Sequence, residues 1–444
     1  MLSRIMRATW AACCLVALLA PGARAQDDAS AERLRIHGSN TLGAQLVPAM
    51  VEAWLHDIGY REVRRRERNN RIEIRGTRDD LPLIVEIDRS GSAQGFQALI
   101  EGNAEIAMMP REPDATERDA AWQLGDLSSP EQEFVVALDG LAVVVNERNP
   151  VRSMSVTQLR DVLAGRMTDW SQLGGRAGGM QVHLGAKGGS RDFLRMRVMR
   201  GEAVAPTLRT HATLAHAARA VAQDANALAV VAVRTGIPRG TRTLAIADGG
   251  MAVLPTRLNV MSEDYPLVQR YRLYGGPLMS ALGRSFAQYS VTRPAQQAAE
   301  KAGFMSVTLR PTAQAVAPDP AKPYGATVAG TQRVPVSLRF NPASLTNVFE
   351  SRSANDLDRL VAYLRLPENR GRQAIVVGFA HDDGSNRLIA TVRSNERSDL
   401  VAEYLIKQGV PVQRSIGMGA TRPLASGSSP ESRHRNERVE IWVK

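Results

Sequence analysis

Three short turns of the chain place glycine and hydroxyl side chains directly before a predicted helix. They are Gly38-Ser39-Asn40-Thr41, Ser90-Gly91-Ser92 and Gly188-Gly189-Ser190, and each follows a short apolar strand. Free backbone N–H groups at a helix start, with hydroxyl groups beside them, attract an anion. Two cations near the third turn would balance the charge of an oxyanion. The candidate anion-binding residues are Ser39, Thr41, Ser92, Lys187, Gly189, Ser190 and Arg191.

The turns need a scaffold that brings separate strand ends together. Short apolar strands alternate with helical patterns through the first 309 residues, for example 34–37 then 46–55 and 141–146 then 156–163. This alternation predicts parallel sheets with helices on both faces, an α/β fold, and its length favours two lobes. The carboxyl ends of the strands would then bring the three turns to one cleft.

Four segments follow from composition. Residues 1–25 are predicted to be a signal peptide, because Arg4 and Arg7 precede an apolar run too short to span a bilayer and Ala23-Arg24-Ala25 is a typical cleavage site. Residues 26–309 form the large two-lobed domain, 310–333 a Pro/Ala-rich linker expected to be extended and semi-rigid, and 334–444 a smaller domain.

The smaller domain is predicted to be an α+β fold of a size typical for one domain. Its alternating and amphipathic patterns predict strands at 334–340, 375–379 and 439–443 and helices at 354–364 and 395–408.

The composition of the chain limits the partners that it can bind and the reactions that it can catalyse. The chain has 56 Lys and Arg against 45 Asp and Glu, a net charge of +11, which favours nucleic acid, anionic envelope polymers or a small anion as partner. The signal peptide and the lack of a basic run interleaved with aromatic residues argue against nucleic acid. Both cysteines, Cys13 and Cys14, fall in the signal peptide, so the mature chain can form no disulfide, thiolate nucleophile or cysteine zinc site. No later apolar run is long enough to span a membrane.

The large domain resembles the phosphate-binding protein of phosphate ABC transporters. The resemblance covers residues 32–308 and includes the first two Gly/Ser turns, and it is most specific at residues 159–175. It implies a two-lobed periplasmic binding protein of type II that closes on a tetrahedral oxyanion, with no cofactor and no metal. The family usually has Ser-Gly-Thr where this chain has Gly188-Gly189-Ser190. The carboxylate that accepts a proton from hydrogen phosphate in the family should lie near Met109-Pro110-Arg111, and there is no Asp there. With Arg111 nearby instead, sulfate or an organic oxyanion becomes an alternative ligand, while the resemblance still favours phosphate.

Residues 376–441 resemble the OmpA-like peptidoglycan-binding domain. In that family an Asp after the second strand and an Arg on the next helix hold the diaminopimelate of the peptide stem, and Arg397 matches the helix Arg. Counting from Gly384 puts His381 at the Asp position, whereas counting back from Arg397 favours Asp382. Arg438 matches the closing motif. The resemblance implies a periplasmic, wall-associated protein that binds peptidoglycan through Asp382, Arg397 and His381.

Together these patterns predict a secreted, non-catalytic oxyanion-binding protein tethered to peptidoglycan, with a possible outer-membrane or transporter partner. One alternative is a wall-associated scaffold with a degenerate ligand site that binds a protein partner. The other is a phosphoryl-transfer hydrolase, which the sequence disfavours because its 7 His show no metal-ligand spacing.

Overall fold

The computed structural model describes residues 31–185, 189–311, 318–341, 348–382, 384 and 387–444. The predicted signal peptide and Lys187 lie outside the described residues. The strands are β1 Glu32–Gly38, β2 Arg61–Arg68, β3 Arg71–Arg78, β4 Leu81–Asp88, β5 Ile106–Met109, β6 Glu133–Asn146, β7 Ser153–Ser155, β8 Gln181–Gly185, β9 Arg209–His211, β10 Ala227–Ala232, β11 Thr241–Thr243, β12 Ala245–Ala247, β13 Val268–Gly275, β14 Gln332–Arg339, β15 Ala374–Phe379, β16 Val412–Gly417 and β17 Arg438–Val443.

The α-helices, in the same described residues, are α1 Val47–Asp57, α2 Ser92–Ile100, α3 Ala115–Ala120, α4 Val156–Leu163, α5 Gly189–Arg197, α6 Leu214–Gln223, α7 Arg257–Met261, α8 Ala281–Tyr289, α9 Arg293–Lys301, α10 Pro323–Val328, α11 Ser351–Leu364, α12 Arg387–Lys407 and α13 Pro430–Asn436. Helix α4 has the bounds that the sequence predicts. Ser155 accepts from the Gln158 N–H, and the Gln158 side chain accepts in return from the Ser155 N–H, which fixes the start of this helix.

One continuous sheet runs through the large domain in the order β2-β3-β4-β1-β5-β13-β6-β10-β8-β9, with β11 also paired to β6. The α/β class is confirmed, but the expectation of purely parallel sheets is wrong. Strands β1, β4 and β5 pair in parallel, whereas β6 and β13 at the centre pair antiparallel with each other and with their other neighbours. The two central strands connect the halves of the sheet.

Two apolar cores flank these central strands and define two lobes. Trp54 and Phe286 lie in the core of the first lobe, and Trp170 and Tyr265 lie in the core of the second. Strand β6 contributes to both cores and is buried throughout. The lobes are therefore joined by shared strands, a connection that allows one lobe to rotate against the other.

An antiparallel hairpin of β2 and β3 extends the first lobe, and the sequence analysis did not predict it. Its connections are tight turns in which Asn69, Asp79 and Asp80 adopt positive φ angles of 54°, 51° and 61°. Asn and Asp tolerate this left-handed region better than other non-glycine residues. Seven of the eight residues of β2 are charged, so this strand lacks the alternation of apolar and polar residues that predicts a strand from sequence.

The C-terminal domain is a four-stranded sheet in the order β14-β17-β15-β16 packed against α11 and α12. Part of the predicted extended linker is folded against this sheet. Helix α10 buries Tyr324 and Val328, and the Tyr324 hydroxyl donates to Glu440 Oε2 at 2.6 Å. The prediction of an extended spacer is wrong for this segment, because Tyr324 and Val328 pack in one apolar cluster with Phe379 and Trp442 of the sheet.

The C-terminal domain contacts both lobes through buried polar groups. Arg333 lies 2.6 Å from Asp264, and Arg435 lies 2.6 Å from Asp248, both in segments attached to the second lobe. On the first-lobe side the Ser351 hydroxyl donates to Glu133. Burial would raise the pKa of Asp264, but the positive charges of Arg333 and Arg438 outweigh it and lower that pKa to about 2. Asp264 is therefore an ionised partner at neutral pH.

Candidate functional site

The first predicted turn begins where β1 ends. The Ser39 N–H donates to the Met108 carbonyl at 2.9 Å, and the Thr41 N–H donates to Ser39 Oγ at 3.2 Å. Gly38 has φ +139°, and a Cβ added there would lie 2.3 Å from the Met108 oxygen, so only glycine fits. A π-helical turn, Leu42–Leu46, follows Thr41 and leads into α1. Ser39 thus caps this helical start, since its Oγ accepts from the Thr41 N–H and its carbonyl accepts from the Gly43 N–H at 2.9 Å.

The second turn packs directly on the first. The Gly91 N–H donates to the Gly38 carbonyl at 2.9 Å, and a Cβ added at Gly95 would lie 2.3 Å from the Gly38 Cα. Ser92 opens α2 immediately after Gly91, and no side chain caps that helix start. The two glycine contacts hold the two helix starts side by side.

The third turn meets the first across the two lobes. Helix α5 begins at Gly189 and packs in the second lobe, where a Cβ added to Gly189 would lie 2.8 Å from Thr41 Oγ1. Ser190 follows and is half-buried. The structure therefore brings Thr41 and Gly189 together. Ser39 and Ser190 lie within two residues of this contact along the chain, and Ser92 directly follows Gly91, whose N–H group donates to Gly38.

The cations around this site differ in whether they already have a partner. Arg89, which the sequence analysis did not select, packs on Gly43, but its guanidinium lies 2.7 Å from Glu67 Oε1. Arg111 donates to Glu117 through both terminal nitrogens, and these hydrogen bonds raise the pKa of Arg111. Arg191 differs from both, because its Nη1 atom is buried and has no hydrogen-bond partner in the described part of the chain.

The helix that carries Arg397 packs closely on the C-terminal sheet. A Cβ added to Gly378 would lie 2.1 Å from the Ser394 carbonyl, and the Gly417 N–H donates to Asn395 Oδ1 at 2.7 Å. Arg397 Nη2 lies 2.6 Å from Glu437 Oε2, and its guanidinium stacks 5.1 Å from the centre of the Phe340 ring. Its Nη1 is buried without a partner among the described atoms.

His381 has a structural contact next to that ion pair. It is buried, and its Nδ1 lies 3.0 Å from Asn436 Nδ2. The Asn436 amide oxygen accepts from the Leu424 and Ala425 N–H groups, so its orientation is fixed and its NH₂ group faces the histidine. His381 Nδ1 therefore accepts this hydrogen bond.

The other two residues of interest in this domain have different surroundings. Asp382 is exposed, and its Oδ1 accepts from the Gly384 N–H at 2.9 Å, as expected for a turn-forming aspartate. Arg438 is buried, stacks 4.1 Å from the centre of the Phe379 ring and pairs with Glu440 at 3.0 Å. Sequence reasoning missed Glu437, which lies 40 positions from Arg397 and carries no local signal for that pairing.

A cleft of about 770 Å³ lies between the C-terminal domain and the two lobes. Its wall includes Arg111, Phe193, Arg272 and Phe340, and Arg272 Nε lies 2.6 Å from Glu133 Oε1. The described residues contain no group of three His, Cys, Asp or Glu side chains that could hold a metal ion. In the same residues no helix has both the length and the apolar character needed to cross a membrane.

Comparison with known families identifies two domains of the chain. Residues 78–294 match the PBP superfamily domain, and residues 340–437 match the OmpA family. The chain therefore combines a PBP superfamily domain with a C-terminal OmpA family domain. This pairing indicates a protein that works outside the cytoplasm.

Individual relatives match only parts of the chain. The phosphate-binding protein PstS 2 of Streptococcus agalactiae is 40% identical over 89 residues, covering 20% of this chain and 27% of the relative. The peptidoglycan-binding protein ArfA of Mycobacterium tuberculosis is 37% identical over 68 residues, covering 15% of this chain and 21% of the relative. The matched segments thus span about a quarter of these curated relatives. An ABC-type phosphate transport receptor from Vibrio cholerae superimposes with a TM-score of 0.47 at 20% identity, covering 61% of this chain and 99% of that one.

Proposed function

We propose that the PBP superfamily domain captures a tetrahedral oxyanion, most simply phosphate, between its two lobes. The observation that carries this proposal is the contact of Gly189 with Thr41 across the lobes, beside the uncapped start of α2. The ligand would receive hydrogen bonds from the hydroxyl and backbone groups of these turns, and Arg191 would supply positive charge. The proposed anion residues are Ser39, Thr41, Ser92, Lys187, Gly189, Ser190 and Arg191.

No Asp stands near Pro110, where the resemblance places the proton-accepting carboxylate, and the neighbouring Glu112 is already paired with Arg272 at 2.8 Å. The nearest acidic partner of Arg111 is Glu117, which that arginine already engages through two hydrogen bonds. A site without a proton-accepting carboxylate cannot select hydrogen phosphate over a fully ionised anion. Sulfate is therefore expected to compete with phosphate.

Titration calorimetry of the full chain with phosphate, sulfate and arsenate tests this proposal. We expect saturable heat with phosphate and competition by sulfate. Absence of heat with all three anions would contradict it and would favour the scaffold with a degenerate site. Hydrolysis of a phosphomonoester by the same preparation would contradict the non-catalytic assignment.

We further propose that the OmpA family domain tethers the protein to peptidoglycan through Arg397, with His381 and Asp382 at the rim of the site. The partnerless Nη1 of Arg397 supports this role, because a buried guanidinium nitrogen without a hydrogen bond is costly unless a ligand supplies one. Co-sedimentation with purified peptidoglycan is the test, and a protein that stays in the supernatant would contradict it. A receptor held at the wall is poorly suited to shuttling to a membrane permease, so storage, sensing or surface display has equal weight with delivery to a transporter.

A further inference from the structure

A pocket of about 180 Å³ lies between the second lobe and the C-terminal domain and shares no residue with the two candidate sites. We call it the interface pocket. The segment after β12 forms one side, with Met251 and Leu254, and the loop before α13 forms another, with Arg422 and Leu424. The Met251 N–H donates to the Pro423 carbonyl at 2.9 Å, which joins the two sides. The pocket therefore exists only where the two domains are attached.

The charged residues that line the interface pocket do not balance each other. Arg333 pairs with Asp264 at 2.6 Å, and Arg438 pairs with Glu440 at 3.0 Å. Arg422 is the remaining charged residue of the lining, and among the described residues its guanidinium takes part in no ion pair and no hydrogen bond. The lining thus has three guanidinium groups and two carboxylates, which leaves one positive charge in excess.

The guanidinium of Arg422 stacks on an aromatic ring, and this contact does not satisfy its N–H groups. Its central carbon lies 4.4 Å from the centre of the Tyr324 ring. Stacking uses the face of the planar guanidinium, whereas its N–H groups point outward in the plane. Arg422 Nε is buried without a hydrogen-bond partner in the described part of the chain, and so is Arg333 Nε. Because a buried donor without an acceptor is costly, the pocket favours a ligand that supplies one.

The other walls of the interface pocket are mainly apolar. Six aliphatic residues contribute to them: Met251, Ala252, Val253, Leu254, Leu258 and Leu424. Pockets that combine apolar walls with a few polar groups bind ligands that have an apolar body and a matching polar group. An apolar cavity of about 150 Å³ holds benzene, so this pocket has room for a ligand of roughly seven non-hydrogen atoms.

We propose that the interface pocket binds a short aliphatic monocarboxylate, with its carboxylate at Arg422 and its chain among the apolar side chains. One carboxylate supplies the single negative charge that the pocket lacks, and its two oxygens accept parallel hydrogen bonds from a guanidinium. A phosphate group carries nearly two negative charges at neutral pH, so it matches the pocket less well. The ligand would contact both domains and would stabilise their attachment. This proposal is independent of the two binding functions above.

Titration calorimetry of the full chain with pentanoate tests the proposal, in a buffer that contains saturating phosphate to occupy the proposed oxyanion site. We expect saturable binding of one pentanoate per chain. The affinity should fall roughly fourfold for each methylene removed, through butanoate to propanoate, because each buried methylene contributes to binding. Pentanamide, which has the same shape without the charge, should bind at least about tenfold more weakly. Absence of pentanoate binding, or equal binding of pentanamide, would overturn the proposal without any substitution in the protein.

A substitution then locates the bound pentanoate. Arg422→Gln should lower the affinity for pentanoate about tenfold or more, since a hydrogen bond to a charged group is lost. Arg78→Gln is the matched control, because Arg78 also stacks on a tyrosine, Tyr60, at 5.0 Å, but lies in the first lobe. This control should bind pentanoate like the wild type.

The outcomes of the two substitutions separate a local effect from a general one. Unchanged affinity in Arg422→Gln would place the ligand elsewhere and overturn the proposal, and equal losses in both variants would show a general charge effect and overturn it as well. Melting temperatures without ligand check that both variants fold. Pentanoate should raise the melting temperature of the wild type and of Arg78→Gln more than that of Arg422→Gln.

Discussion

The two candidate sites use opposite kinds of donor. In the oxyanion site, main-chain N–H groups and hydroxyl side chains are assembled by glycines that permit close approach, as at Gly38 and Gly95. In the peptidoglycan site, the central donor is a charged side chain, Arg397, which already pairs with Glu437. Main-chain donors are fixed by the fold before a ligand arrives, whereas a paired guanidinium must exchange one partner for another.

The same difference extends to the surroundings of each site. The lobes that carry the oxyanion site have apolar cores, whereas the C-terminal domain is attached to them by buried ion pairs such as Arg333 with Asp264. Acid and charge-removing substitutions should therefore weaken the attachment of the C-terminal domain more than they weaken binding at the oxyanion site. Substitutions that add bulk should weaken oxyanion binding more than the attachment.

The largest effect is expected from Asp264→Asn. This change removes the nearer carboxylate of the buried Arg333, leaves only the longer contact with Glu440 at 3.5 Å, and should lower the free energy of unfolding by about 3 kcal/mol. Chemical denaturation of the full chain measures the loss, and Asp119→Asn, at an exposed residue of α3, is the control expected to change little. Equal stability of the two variants would contradict the importance of this pair.

Acid should reproduce that loss in the wild type. The pKa of Asp264 is about 2 in the folded protein and about 3.9 when unfolded, so its contribution is complete above roughly pH 4. The contribution disappears as the pH falls towards 2, because the folded carboxylate then takes up a proton. Thermal unfolding between pH 5 and 2 should show a smaller pH dependence in Asp264→Asn than in the wild type. Identical profiles would show that Asp264 does not carry the effect.

An intermediate effect is expected from Gly189→Val. The added side chain overlaps Thr41 Oγ1, since even a Cβ would lie 2.8 Å away, and should weaken oxyanion binding by about 2 kcal/mol or roughly thirtyfold. Peptidoglycan sedimentation should be unchanged. Gly179→Val is the matched control, because a Cβ at that position meets nothing within 4 Å. Normal oxyanion affinity in Gly189→Val would show that the contact between Gly189 and Thr41 does not contribute to oxyanion binding.

The smallest effect is expected from Glu437→Gln. Loss of the internal carboxylate frees Arg397 for the carboxylate of the peptide stem, and affinity for peptidoglycan should rise by about 1 kcal/mol or roughly fivefold. Glu396→Gln, an exposed neighbour on α12, serves as control. Weaker sedimentation of Glu437→Gln would instead mean that Glu437 itself holds the ligand, in the place that His381 cannot fill.

The convergence of the three Gly/Ser turns was predictable from sequence because its signals are local. Each Gly/Ser turn is contiguous and precedes a helix, and the structure places the turns around Thr41 and Gly189 as the alternating pattern suggested. The bounds of α4 and the class of both domains also follow from local patterns. The roles of the individual site residues remain predictions.

The features that sequence reasoning missed depend on distant contacts or on charge. Glu437 reaches Arg397 across 40 positions, and Asn436 reaches His381 across 55. Strand β2 has one apolar residue and therefore no alternating signal, so the sheet that it extends was predicted without it. Helix α10 lies in a Pro/Ala-rich segment whose composition suggests a spacer, and only the buried contacts of Tyr324 reveal its packing.

Locating a bound oxyanion by its anomalous scattering tests the central claim most directly. Crystals of the full chain grown with selenate should show a peak within hydrogen-bond distance of Thr41 Oγ1 and the N–H groups at the start of α5. Arg191 should be the nearest cation. A peak only in the cleft beside Arg111, or no ordered anion in crystals soaked to saturation, would contradict the account.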